Sequence, residues 1–245
     1  MRLVLVALLI SACGSDDSRH IADARGGDGS STGCAGPAAN WEADEGSGTT
    51  AADSSGHAHT LTLQGATWVA GHDTGSALHF DGASYANTPY DASFMATRAL
   101  SVTLWLRPGT VGNGYQSLVV KSELAGPVQD WGVYQVGSEL GALYNFPTSA
   151  DLPPTTTGAG LVAGTWTFLA FVLDVDAGTT TYYKDGAIVG TTPSTEALLQ
   201  NDAPITIGVD GGMPNYLTGD LDNIRVWTRA LSAADLALVQ ADGCK

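Results

Sequence analysis

Along much of this chain apolar residues recur at every second position, the period of a pleated strand. The clearest case is Leu100-Ser-Val-Thr-Leu-Trp-Leu-Arg-Pro108, where Val102, Leu104 and Leu106 share one face and Trp105 takes the other. A strand apolar on both faces belongs between two layers. Similar runs predict a first strand opening over 38–42 and further strands covering 60–63, 118–120, 131–136, 140–144, 166–173, 179–184, 205–209 and 221–227. Lys184-Asp185-Gly186 has the residue types that accept positive φ, as a tight hairpin requires. Segment 146–160, with Pro147, Pro153, Pro154 and three consecutive threonines, reads as a long surface loop. A helical period enters only at the end, where Ser232-Ala-Ala-Asp235 forms a short-side-chain capping box ahead of Leu236-Ala-Leu-Val239. Many short strands and one short C-terminal helix predict an all-β, two-sheet antiparallel sandwich.

Composition agrees. The 245 residues include 31 glycines, 44% hydrophobic and only 14% charged positions, which suits strands and turns in one large domain. With 10 basic against 25 acidic residues the net charge is -15, and such a chain lacks the clustered cations that displace counterions from nucleic acid. No nucleic-acid partner is expected.

The first residues carry a different signal. Met1-Arg2 followed by an apolar run to Ile10 is the charged start and short hydrophobic core of an export signal, too short to span a bilayer. Its end, Leu9-Ile-Ser-Ala-Cys13, resembles a bacterial lipobox, which implies cleavage after residue 12 and lipidation of Cys13. The residues after Cys13 are Gly14 and Ser15 and not aspartate, so the resemblance implies the outer membrane or cell surface. Residues 13–37 are rich in Gly, Ser, Asp and Ala without apolar periodicity and read as a flexible tether. The folded domain is expected over 38–245.

Catalytic patterns are missing. Retaining glucanases of related architecture place closely spaced carboxylates on one strand; Glu42-Ala-Asp-Glu45 is the nearest approach and runs into a Gly-rich turn. There is no Gly-x-Ser-x-Gly elbow, phosphate loop or zinc cysteine cluster. His57 and His59 are two imidazoles without an identified third ligand, too few for zinc.

Several segments together carry a family resemblance. Asp53-Ser-Ser-Gly56, Leu78-His-Phe-Asp-Gly82 with Tyr85 beyond it, Trp166-Thr-Phe-Leu-Ala-Phe-Val-Leu-Asp174, Tyr182-Tyr-Lys-Asp-Gly186 and Gly219-Asp-Leu-Asp-Asn-Ile-Arg-Val-Trp227, in this order, resemble laminin-G-like, or concanavalin A-like, jelly-roll domains from about Trp41 to Val239. The resemblance reads Leu78 to Tyr85 as strand, tight turn and strand. The resemblance implies a non-catalytic binding or adhesion module for carbohydrate or a surface protein; the alternatives are a structural or interaction lipoprotein of the cell envelope with no glycan site and, third, a glycoside-active enzyme. It also implies calcium, with Asp53 and Asp222 as carboxylate ligands, Gly56 and His59 as carbonyl donors, and Asp81 and Asp220 as weaker candidates. The alternative is turn chemistry, with Asp53 in an Asx turn and Asp222 holding loop amides. Trp131, Tyr134, Tyr144 and Tyr216 are candidates for stacking on a sugar; aromatics are also the ordinary filling of a sandwich. With Cys13 lipidated, Cys34 and Cys244 stand near the two edges of the domain in an oxidising compartment. They are expected to pair, since the ends of a jelly roll commonly lie together.

Overall fold

The computed structural model describes residues 36–112, 114–122, 129–146, 158–211 and 215–243, all within the unit Gly33–Lys245. The expected leader, Cys13, the tether up to residue 35 and the Cys34–Cys244 pair lie outside the described residues. Among the described residues there are fifteen strands: β1 (Ala39–Trp41), β2 (Thr50–Ala51), β3 (Leu61–Gln64), β4 (Thr67–Ala70), β5 (Ser76–Asp81), β6 (Tyr85–Thr88), β7 (Ala99–Pro108) and β8 (Tyr115–Ser122) come first. They are followed by β9 (Gln129–Val136), β10 (Glu139–Phe146), β11 (Thr167–Asp174), β12 (Thr179–Lys184), β13 (Ala187–Pro193), β14 (Ile205–Ile207), β15 (Thr218–Trp227) and the helix α1 (Ala233–Gln240).

The strands form two antiparallel sheets. One runs β13-β12-β11-β7-β15-β5-β4, with β1 also paired to β15; the other runs β10-β9-β8-β14-β6-β3-β2. Between them lies one core containing Trp41, Phe80, Leu104, Leu106, Leu118, Trp131, Phe171, Leu221 and Ile224. Strand β7 shows how alternation sets the layers: Val102, Leu104 and Leu106 face this core, while Trp105 packs on the opposite face with Phe168, Trp227 and the α1 residues Leu236 and Val239. Helix α1 therefore covers part of the outer face of the first sheet. Its capping box is closed, with Ser232 Oγ accepting from Asp235 N at 3.1 Å and Asp235 Oδ2 accepting from Ser232 N at 3.0 Å.

Glycine fixes the backbone geometry at two places. At the β12–β13 hairpin Asp185 and Gly186 take φ of 48° and 79°, and Lys184 pairs with Ala187. At the start of β15 Gly219 has φ 151°, and a Cβ there would stand 2.7 Å from the Arg107 carbonyl oxygen. Only glycine lets β15 lie that close to β7. The sequence pattern names no strand at β2 or β4 and implies β13 only through the expected hairpin turn after Lys184; β6 is implied only by the family resemblance at Tyr85. Strands β2, β4 and β13 lie at or next to a sheet edge, and β13 and β4 are largely exposed, so their alternation is weak.

Candidate functional site

The Asp53 loop is a hydrogen-bonded staple. Asp53 Oδ1 accepts from Asn40 N and Ser55 N, and Oδ2 accepts from Ser55 Oγ and His59 N, at 2.7 to 2.9 Å. Burial raises the carboxyl pKa, but the donors from Asn40, His59 and Ser55 outweigh it and hold the group below the ordinary carboxylate range. A carboxylate has about four lone-pair sites, and four donors fill them. The His59 carbonyl accepts the Trp41 indole N–H at 2.6 Å, and its Nε2 lies 2.7 Å from Ser93 Oγ. The His57 and His59 rings stack in parallel, with centroids 5.7 Å apart. Gly56 turns the loop at φ 92°. As arranged, Asp53 and His59 do not fit a calcium ion.

Asp222 stands at the far end of a hydrogen-bonded chain that runs from Asp53 through Asn40, Arg225, Asp242 and Asn223. It projects outward from β15, 2% exposed, and its Oδ2 accepts from both His72 N and His72 Nδ1 at 2.9 Å, while Oδ1 accepts from Asn223 N. Burial pushes its carboxyl up, and the His72 and Asn223 donors recover only part of that shift. His72 in turn stacks on Trp105, centroids 4.2 Å apart and planes 18° from parallel. Beside them is a small pocket of about 70 Å³ lined by Glu42, Asp44, Asp73, Thr74, Asp222, Asn223 and Asp242. His72, Asp73 and Asp242 bring potential ligand atoms within 4.8 Å of one another.

The weaker carboxylates are also engaged. Asp81 Oδ1 accepts from Ala83 N and Ser84 N in the β5–β6 turn. Asp220 accepts from His79 Nδ1 at 2.7 Å and from Arg107 Nε at 2.6 Å.

The four candidate aromatics separate by burial. Trp131 is 1% exposed inside the sandwich, and Tyr134, fully buried on the other face of the second sheet, donates its hydroxyl to Asp210 Oδ2 at 2.8 Å. Neither presents a face to a ligand. Tyr144 is half-buried against the core, and its hydroxyl oxygen accepts from Thr180 Oγ1 at 3.4 Å. Tyr216 alone of the four reaches an open groove, of about 220 Å³, together with Thr110, Gly112, Gly114, Tyr115, Gln116 and Thr218. Gln116 is held in place: its Oε1 accepts from Thr218 N at 2.7 Å and its Nε2 donates to Thr110 O at 3.3 Å. The groove sits where the β7–β8 connection meets the start of β15. Tyr115 and Gln116 were not selected from the sequence, although the Gly112-Asn-Gly114 turn ahead of them marks a strand start at a rim.

A family model described as the concanavalin A-like lectin/glucanases superfamily matches residues 80–237. The chain belongs to this superfamily. No curated protein matches the sequence. Among solved structures, the fold is similar to the binding domain of Paraclostridial Mosquitocidal Protein 1, at 14% identity and TM-score 0.68 over 84% of this chain and 52% of that one. It is also similar to domain 4 of AbnA, a GH43 extracellular arabinanase from Geobacillus stearothermophilus, solved in complex with arabinotriose; here identity is 18% and TM-score 0.64, over 83% of this chain and 98% of that one. A third neighbour is a botulinum neurotoxin type C structure, from work on cell entry through two ganglioside molecules, at 11% identity and TM-score 0.60 over 83% and 50% of the two chains. The chain spans about half the length of the toxin structures it matches. At these identities the likeness establishes the jelly roll, a superfamily scaffold that carries binding domains and glycosidases alike.

Proposed function

We propose that this superfamily member is a non-catalytic binding module that takes a neutral saccharide in the groove between Tyr115 and Tyr216. The observation that carries the reading is the groove itself. Two half-exposed tyrosines flank an open space of about 220 Å³, with the Gln116 amide and the Thr110 and Thr218 hydroxyls beside them. Aromatic faces cover the apolar side of a sugar while amide and hydroxyl groups exchange hydrogen bonds with its rim. Among the described residues no carboxylate lines the groove, and glycoside hydrolysis generally uses two. The arabinanase domain solved with arabinotriose has the same fold, which makes arabino-oligosaccharides the first probe. The leader sequence supports an exported protein, lipid-anchored through Cys13 at the outer membrane or cell surface.

The test is titration calorimetry of the full chain with a panel of neutral trisaccharides, arabinotriose first, on wild type, Tyr115→Ala and Tyr216→Ala. The expected result is binding of at least one sugar, weakened about tenfold or more by each substitution with the melting temperature unchanged. Binding that survives both substitutions would refute the groove. No binding by any sugar would favour a structural or protein-interaction role in the cell envelope.

A further inference from the structure

A second set of groups lies on the outer face of the first sheet, outside the groove. His79, Asp220 and Arg107 are register partners across β5, β15 and β7, so they form one row perpendicular to the strands. Each follows or precedes a core residue (Leu78 and Phe80, Leu221, Leu106), which directs all three outward. Trp166, one residue ahead of β11, extends the row: the Arg107 guanidinium carbon stands 4.8 Å from its ring centroid. The row spans three strand spacings, about 14 Å. Helix α1 packs on Phe168, Ala170, Val172 and Trp227 and leaves this end of the face open, with the His79 side chain 40% and the Arg107 side chain 30% exposed.

Asp220 organises the row. Only 10% exposed, it accepts Arg107 Nε on one oxygen and His79 Nδ1 on the other, which fixes both side chains. Nη1 and Nη2 of Arg107 take no hydrogen-bond partner among the described residues. The guanidinium is thus held on one edge by Asp220, flanked by Trp166, and presents its two terminal amino groups to solvent. That is the arrangement that receives a carboxylate in a two-point contact.

We propose that this row is a binding site for a carboxylate-bearing saccharide, with Arg107 receiving the carboxylate, Trp166 forming the apolar wall and the His79 imidazole edge meeting ring hydroxyls. Asp220 neutralises the charge of Arg107 and the chain's formal charge is -15, so the occupant is held by the two-point contact at the free guanidinium edge and not by a cationic field. An acidic peptide is the poorer fit. Peptides gain affinity by pairing their backbone along a sheet edge, and here the backbone of β5, β15 and β7 is already paired within the sheet, so recognition falls to side chains on a flat face. The site is independent of the tyrosine groove, whose lining carries no charge among the described residues.

The experiment titrates the full chain with trigalacturonic acid, a neutral galactose trisaccharide and triglutamate, reading heat and the Trp166 indole resonance. Trigalacturonic acid is expected to bind and to move that resonance, and the neutral sugar and triglutamate to bind about tenfold or more weakly at this row. Arg107→Gln and Trp166→Ala should each weaken the acidic sugar about tenfold or more, while Arg107→Lys, which keeps charge but loses the fork, should lie between. Should Arg107→Gln fail to fold, Trp166→Ala carries the test. Tyr216→Ala should leave this binding intact, so the groove and the row fail separately. Absence of binding, equal binding of triglutamate, or affinity unchanged in both Arg107→Gln and Trp166→Ala would overturn the proposal.

Discussion

His72 and Asp222, 150 residues apart, are joined twice through one oxygen: the backbone N and the ring Nδ1 of His72 both lie 2.9 Å from Asp222 Oδ2. The pair clamps the β4–β5 turn onto β15, and Trp105 closes over the imidazole. Removing the carboxylate leaves a half-buried amide and a ring nitrogen without an acceptor. Asp222→Ala is therefore expected to lower the unfolding free energy by about 2–4 kcal/mol in a urea titration. A loss under about 0.5 kcal/mol would mean that the clamp is dispensable.

Asp53 and Asp222 should respond to pH in opposite senses. The Asp53 carboxyl is held below its ordinary value by Asn40, His59 and Ser55 against burial, so the native state binds its proton less tightly than the unfolded chain. Its contribution is complete above the unfolded pKa of about 3.9 and disappears as pH falls through the native value. The Asp222 carboxyl is raised by burial, so its ionisation costs stability as pH climbs from about 4 through the native value. Unfolding of wild type, Asp53→Asn and Asp222→Asn between about pH 3 and 7 checks both. Wild type should gain on Asp53→Asn as pH rises and lose ground against Asp222→Asn. Because protein donors already fill the Asp53 acceptor sites, EDTA should leave the Asp53 contribution unchanged.

Lys121 is fully buried on β8, and its Nζ donates to Asp130 Oδ2 at 2.7 Å, to Asn201 O at 2.6 Å and to Asn201 Oδ1 at 2.9 Å. Burial pushes the Asp130 carboxyl up by more than the ammonium beside it pulls it down. Lys121→Ala strands that carboxyl and should cost about 3–5 kcal/mol, whereas Lys121→Met with Asp130→Leu should recover most of the loss. Denaturant melts of the single and double variants decide it; a double variant as unstable as the single would show that Asn201 needs the ammonium.

The chain's layers were legible because their cause is local. Val102, Leu104, Leu106 and Trp105 divide between two faces by strand geometry alone, Ser232 and Asp235 form their capping box within four residues, and Asp185-Gly186 makes its hairpin from two positive-φ positions. The Asp53 loop was half legible: its composition suits both an Asx turn and a cation, and only the approach of Asn40 N and His59 N fills its acceptors. Tyr115 was not, since a tyrosine opening a strand has no local mark of facing a groove.

The sequence by itself determined the central strands, the C-terminal helix, the two-layer class and the family, because side-chain alternation, capping and turn chemistry act within a few residues. The tertiary structure alone decided which of those residues meet. Strand β15 lies between β7 and β5, and that order, set by crossovers and by the close approach at Gly219, puts Asp220 between Arg107 and His79 and Asp222 under His72. It also places Trp131 in the core and Tyr216 at a rim, a difference that two aromatic side chains do not carry in themselves. Sites made of such partners depend on register across strands far apart in the chain, and register is a property of the packed sheets.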